Sequence, residues 1–336
     1  MKNINELFII AELSANHNND LNIALRTIDA IAKSGADAVK IQTYTADSLT
    51  LDVKNEIFGP RKDGLWKGKT LYEIFTEGSL PYEWHSILKD YAESLGLLFF
   101  SSPFDKEGVD LLESLNVKLY KIASPEITDI QLIEYVASKG KPIIISTGMA
   151  SFLDIELAIE TCRKVGNHDI TLLKCTSEYP AAPNMANLLT IPNLRNAFNV
   201  KVGLSDHSFG STVPIVAVSL GATVIEKHFV LKREGGGIDA GFSMEPDEFA
   251  NMVKSVKEAK QALGEVTYNL TDRDKLRRRS LFVVQDISQG EKITEKNTRS
   301  IRPGFGIHPQ FFKQVLGKKA IQDLKKGTPL SFDLIK

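Results

Sequence analysis

The chain has 336 residues, 43% of them hydrophobic and 25% charged, which is ordinary globular composition and excludes a disordered or fibrous polymer. Its 41 basic and 42 acidic residues leave a net charge of −1, so no overall field gathers nucleic acid and any anion must be held by local clusters. Single cores stop growing near ~250–300 residues, so one large domain and one small one are expected.

Taken in chain order, short apolar runs recur with helical patterns between them. They are Phe8–Leu13, Ala38–Thr43, Leu97–Ser102, Leu119–Ser124, Pro142–Thr147, Ile170–Thr176, Val202–Asp206 and Thr223–His228. Each is almost continuously hydrophobic, the mark of strands buried on both faces. The helix expected over Asn22–Ser34 presents Ile23, Ile28 and Ile31 on one side, and that over Ser151–Val165 opens with Ser151 three residues before Asp154, a capping pattern. Eight such units over roughly 260 residues match a (β/α)8 TIM barrel of the α/β class. The competing doubly wound open sheet lacks its G-x-G-x-x-G after the first strand.

Beyond the barrel, expected over 1–263, the segment 264–279 is charged and poorly periodic and reads as a linker. Residues 280–336, with turn signals at Gln289-Gly290, Pro303-Gly304 and Lys326-Gly327, read as a small mainly β module. The basic run Lys275–Arg279 has no aromatic ladder and reads as a solvated linker or interface, not a nucleic-acid site. Cys162 and Cys175 do not form a disulfide framework, the apolar core of MKNINELFIIAEL is too short for a signal peptide to be expected, and no run of ~20 apolar residues occurs. A cytoplasmic protein that makes no membrane contact is expected.

In a barrel, the C-terminal ends of the strands converge on one mouth. Here those ends carry Glu12, Asn16 and His17; Lys40 and Gln42; Ser101 and Ser102; Lys121, Ser124 and Glu126; Ser146 and Thr147; Ser177 and Tyr179; Ser205, Asp206 and His207; and Glu226, Lys227 and His228. Burying such groups singly costs several kcal/mol each, so a shared purpose is implied. Lys40 and Lys121 inside apolar strands need an anionic partner: a phosphorylated, carboxylated ligand, or a local carboxylate such as Glu12 or Glu126. Ser102, Ser124, Ser146 and Ser205 could add hydroxyl donors. His207 and His228 close consecutive strands and could hold one cation or act as acid and base. Gly235-Gly236-Gly237 before Asp239 resembles a mobile loop over the mouth, and the aromatic-rich stretch Trp66–Trp84 a sugar-facing one.

The motifs AELSANHN, VKIQTYTADSL, SSPFD, YKIAS, STGM, CTSEYP, GLSDHS, IEKHF and IRPGFGI, in this order from about Ile9 onward, resemble the sialic acid synthase family and its pseudaminic branch in particular. The resemblance implies a barrel followed by an antifreeze-like (SAF) domain, in a domain-swapped homodimer whose SAF domain covers the partner's barrel mouth. It implies condensation of phosphoenolpyruvate with an open-chain amino sugar, releasing phosphate, with a divalent metal ion, Mn or Mg with Co possible. His207 and His228 would hold the metal. Lys40, Ser102, Lys121, Ser124, Ser146, Ser177 and Ser205 would bind phosphoenolpyruvate, and Glu12 would accept a proton. Gln42, Glu126, Tyr179, Glu226 and Asp239 would face the sugar or metal waters, and Arg302 would reach in from the partner chain.

Where N-acetylneuraminate synthases usually begin AEAG or AEIG, this chain has AELSANH, and it carries Ser177 where they show Asn before the Tyr-Pro pair. Both departures resemble the pseudaminic branch, whose sugar is 2,4-diacetamido-2,4,6-trideoxy-altrose. A manno-configured sugar, as in neuraminate or legionaminate synthesis, is the alternative. A Schiff-base aldolase using Lys121 and a non-catalytic sugar-binding protein are the other classes open at this point.

Overall fold

The computed structural model describes residues 7–64 and 66–336. The chain divides into two compact units, Met1–Gly264 and Glu265–Lys336. In the first, eight parallel strands close into a barrel: β1 (Phe8–Glu12), β2 (Ala38–Thr43), β3 (Leu98–Pro103), β4 (Tyr120–Ile122), β5 (Ile143–Ser146), β6 (Ile170–Cys175), β7 (Lys201–Asp206) and β8 (Val224–His228). Closure is set by β1, whose Glu12 lies opposite Lys40 on β2 and His228 on β8.

Alternation along each strand divides the core in two. Ile9, Ala11, Val39, Ile41, Phe99 and Ile145 pack outward against the helices. Ile10, Ala38, Phe100, Leu119, Ile144, Leu173 and Val224 fill the barrel floor. Full burial of such side chains stabilises by roughly 1.5–3 kcal/mol each. Where the floor is tightest, β7 carries Gly203, since a Cβ there would sit 2.4 Å from Val224 O and 2.6 Å from Leu173 Cδ2.

The helices obey local chemistry. Leu21–Lys33 is capped by Asp20, which accepts from Asn22 N, and it buries Ala24, Thr27, Ile28 and Ile31; Ile23, expected on that face, is only half-buried because Ala24 and Thr27 take the contact. Phe152–Lys164 opens with the expected cap, a reciprocal Ser151–Asp154 capping box. Between β2 and β3 the chain forms helices at Ala46–Leu49 and Leu71–Gly78 before Trp84–Ser94, so the middle of the aromatic stretch expected as a loop is helical.

The second unit pairs β9 (Ser280–Val283) antiparallel with β10 (Thr298–Ile301) over a core that includes Leu281, Val283, Ile293, Val315 and Leu330. Within the segment read as a linker, Asp272–Arg277 is helical, started by a Thr271–Asp274 capping box and carrying a Lys275–Asp272 ion pair. No helix among the described residues is long and apolar enough to cross a membrane.

Candidate active site

The same alternation that fills the barrel floor builds the site above it. Two residues after an inward-facing apolar position comes an inward-facing polar one: Ile10 then Glu12, Ala38 then Lys40, Phe100 then Ser102, Leu119 then Lys121, Ile144 then Ser146, Leu173 then Cys175, Gly203 then Ser205, Val224 then Glu226. The lower layer keeps water out and the upper one carries charge.

Lys40 is ion-paired with Glu12, lies 3.3 Å from Ser102 Oγ and 3.9 Å from Glu226 Oε2. Lys121 donates to Ser146 Oγ at 2.7 Å and to Ile122 O at 2.9 Å, with Glu226 Oε1 at 3.9 Å. Ser205 Oγ donates to the same Glu226 oxygen at 3.0 Å. Glu226, not Glu126, is therefore the carboxylate that balances Lys121. All four charged groups are almost wholly buried, yet Glu226 Oε2 and both Glu12 oxygens lack a hydrogen bond of good geometry.

Burial dominates the electrostatics of this floor. It drives the Glu12 carboxyl up to about 7 against the opposing pull of Lys40. Burial also pushes Glu226 up, but Lys121 and Lys40 together outweigh it and hold Glu226 below the usual carboxylate range. Lys121 is lowered by its burial, whereas Lys40, equally desolvated, is raised by Glu12 and Glu226. A doubly anionic ligand arriving here would meet two ammonium groups already stripped of water.

His207 and His228 stand beside this floor with ring centroids 5.2 Å apart. His207 Nδ1 bonds to Thr176 O at 2.9 Å, which fixes the proton there and leaves Nε2 as an acceptor. His228 Nδ1 is buried without a hydrogen-bond partner, and burial holds that imidazole well below its ordinary pKa and neutral. Tyr179 packs 4.4 Å from the His207 ring and Phe242 4.9 Å from that of His228. Burial lowers His207 too, but its contacts with Cys175 and Thr176 O outweigh that and raise it, so of the pair only His228 offers a neutral imidazole with an unspent nitrogen to a divalent cation. The described residues contain no group of three or more His, Cys, Asp or Glu that could hold one, so a cation here would have two protein ligands.

Higher in the mouth, Gln42 donates to Ser14 Oγ at 3.2 Å, and Ser14 Oγ in turn donates to Asp239 Oδ2. In the glycine run before Asp239, Gly235 stands in open space at a positive φ, while Gly237 allows close approach: a Cβ there would lie 2.0 Å from Ala15 O. Gly148, in the STGM motif, is similarly confined, because a Cβ there would fall 2.2 Å from Ser177 Oγ, 2.9 Å from Ser124 Oγ and 3.0 Å from Cys175 Sγ.

A cavity of about 340 Å³ unites most of the expected residues: Lys40, Gln42, Lys121, Ser124, Ser146, Tyr179, Ser205, His207, Glu226, His228 and Asp239 line it. Glu12 and Ser102 lie at its margin, against Lys40. Glu126 is not in the lining; its carboxyl is driven up to about 7 by burial, and Oε2 has no partner. Ser177 lines an adjoining hollow with Arg61 and Glu178. Arg302 belongs to the second unit, in a shallow hollow with Arg277, Arg278, Arg279 and His308.

Several polar strand ends do not face the mouth. Lys227 and Asp206 alternate outward and pair at 2.7 Å, Lys227 also donating to Ser208 O. Ser101 bonds to Thr43 Oγ1 at 2.6 Å, Asn16 donates to Phe229 O at 2.9 Å, and His17 contacts Gly78 O at 3.3 Å. Conversely, sequence reasoning passed over Ser14, Tyr44, Phe104, Cys175 and Phe242. Counting by twos from Leu173 would have found Cys175, whose thiol burial pushes up but whose contact with His207 brings down to about 7. The others lie off the strands, Phe242 at the end of the short helical turn Ala240–Phe242, where no strand period applies.

Comparison with known proteins shows the family. Residues 27–268 match the NeuB family and residues 278–336 the SAF domain. The chain is 48% identical to a pseudaminic acid synthase of Helicobacter pylori, covering 97% of this chain and 96% of that one. It is 38% identical to an N,N'-diacetyllegionaminic acid synthase of Legionella pneumophila, covering 98% and 94%. The crystal structure of an N-acetylneuraminic acid synthetase from Leptospira borgpetersenii in complex with citrate superposes with a TM-score of 0.71 at 34% identity, over 81% of this chain and 90% of that one.

Proposed function

The chain belongs to the NeuB family, and from that premise we propose that it makes pseudaminic acid: phosphoenolpyruvate, open-chain 2,4-diacetamido-2,4,6-trideoxy-β-L-altrose and water give the nine-carbon sugar acid and phosphate. It is a phosphoenolpyruvate-dependent transferase that forms a C–C bond. The observation that carries the reading is the pair Lys40 and Lys121, buried on one cavity with His207 and His228.

In this reading the ammonium groups of Lys40 and Lys121 neutralise phosphoenolpyruvate, and the hydroxyls of Ser102, Ser124, Ser146, Ser177 and Ser205 orient its oxygens. C3 of the enol attacks the aldehyde carbon. Positive charge then grows at C2, beside Glu226, and water adds there. The C2–O bond breaks and phosphate leaves with the bridging oxygen. Glu12, in contact with Lys40, accepts the proton of the incoming water. A divalent cation, Mn or Mg with Co possible, would be held by His207 and His228 and would supply Lewis-acid polarisation of the aldehyde. Gln42, Tyr179 and Asp239, which line the cavity, hold sugar hydroxyls and amides. The enzyme works as a cytoplasmic homodimer in which Arg302 of the SAF domain reaches the partner's site, with the barrel ending near residue 263.

The test is phosphate release from phosphoenolpyruvate with altro- and manno-configured diacetamido sugars and N-acetylmannosamine, run in 18O water. Turnover of the altro sugar with label in the sugar acid and none in phosphate is expected. Preference for a manno sugar, or label in phosphate, overturns the reading.

A further inference from the structure

The cavity has two chemically unlike sides. Hydroxyls, imidazoles and charges come from β4 to β8 and from low on β2. The chain leaving β2 and β3, across a closed eight-stranded barrel from β6 and β7, contributes instead Tyr44, Leu71, Phe75 and Phe104. Tyr44, only 4% exposed, is the keystone: its ring meets Phe75 edge to face at 5.9 Å and Phe104 at 5.2 Å. It can seat there because residue 78 is glycine, whose Cβ would lie 2.8 Å from the Tyr44 hydroxyl. Phe75, Phe104 and Leu71 are half-buried, each lining the cavity. Arg61, the cation on this side, lies over the Trp66 ring at 5.6 Å.

We propose that this wall of Tyr44, Phe75, Phe104 and Leu71 is the specificity element for the tail of the sugar, receiving its C6 methyl group and rejecting a C6 hydroxyl. The inference rests on the function proposed above and adds which residues choose the substrate. A methyl group covers apolar faces that would otherwise stay wet. A hydroxyl pressed against the same faces gives up its water and finds no partner, because the four side chains offer one hydroxyl among them, that of Tyr44, packed against Gly78. The lysines and imidazoles take no part in this choice, so reactivity toward phosphoenolpyruvate and selectivity for the sugar are carried by different side chains.

The experiment compares kcat/KM for the 6-deoxy diacetamido sugar with that for its 6-hydroxy counterpart in the full-length enzyme. Wild type should favour the deoxy sugar by about 100-fold, the scale on which an added hydroxyl is disfavoured by an apolar pocket. Phe75→Asn and Leu71→Gln, which put hydrogen-bonding groups on the wall, should cut the ratio to about 10-fold or less with the KM for phosphoenolpyruvate unchanged, while Phe75→Leu keeps it. If folded polar variants retain the wild-type ratio, or the wild type shows no preference, the wall does not select. Absence of turnover with every sugar in wild type removes the proposed function, and this inference with it.

Discussion

Glu226 Oε1 lies 3.9 Å from Lys121 Nζ across the full width of the barrel, from β8 to β4. Its other oxygen lies 3.9 Å from Lys40 Nζ, so one carboxylate is shared by two ammonium groups, and Lys40 is further balanced by Glu12. Lys121 is left with the weaker compensation and is the group most in need of an anionic ligand.

Replacing Lys121 with Met keeps the apolar stem and removes the charge. A hydrogen bond to a charged partner contributes about 1.5–3 kcal/mol, so kcat/KM for phosphoenolpyruvate should fall roughly 10- to 100-fold. Thermal stability should fall as well, since Glu226 stays buried with Lys40 alone to balance it. A loss of stability with unchanged kinetics would mean that Lys121 is structural.

Glu12 sets a pH dependence. Unfolded, it releases its proton near 4.5; folded, near 7. Between those values the folded state binds more protons, so this group's contribution is fully present below 4.5 and is lost as pH rises through 7, by about 3 kcal/mol. Glu12→Gln should flatten the fall in denaturant stability between pH 4.5 and 7. As proton acceptor, ionised Glu12 should also give kcat/KM an acidic limb near pH 7, and Glu12→Gln should erase the limb and lower kcat about 100- to 10,000-fold.

Chelation should stop turnover, and readdition of Mn should restore it. Metal content measured directly should be one ion per chain in wild type and none in His207→Ala or His228→Ala. Stoichiometric metal in the double variant would move the ion elsewhere.

Lys227 and Asp206 are buried together on the outward faces of β8 and β7. Breaking such a pair from one side costs about 3–5 kcal/mol, because the other charge stays buried, whereas apolar replacement of both partners can be neutral. Lys227→Met should therefore lower the denaturation midpoint sharply, and Lys227→Met with Asp206→Leu should recover much of it. Neither residue lines the cavity, so kcat measured below the melting range should fall far less than in His207→Ala or His228→Ala, even though both charges reach those imidazoles.

The barrel was legible because strand burial on both faces and helical periodicity are local properties: each of the eight runs from Phe8–Leu13 to Thr223–His228 names its own strand. The inward charges Lys40, Lys121 and Glu226 were legible for a similar reason, since a charge two residues beyond a barrel-filling side chain has only the mouth to face. The outward pair Lys227–Asp206 was misplaced because adjacent residues of a strand face opposite sides, and a polar cluster such as Glu226-Lys227-His228 does not announce which member turns which way. Tyr44, Phe104 and Phe242 escaped because they leave the strands, beyond the reach of any period.

By itself the sequence determined the number, order and burial of the strands and the chemical types gathered at their ends, because backbone geometry and the hydrophobic effect act residue by residue. Only the tertiary structure decided that Glu226 balances Lys121, that Ser14 links Gln42 to Asp239, and that Tyr44 braces an apolar wall. Those relationships depend on the curvature that brings β4 to face β8 and on loop backbones packed to van der Waals contact at Gly78 and Gly237. Distances through space, unlike neighbours along the chain, exist only once the barrel has closed.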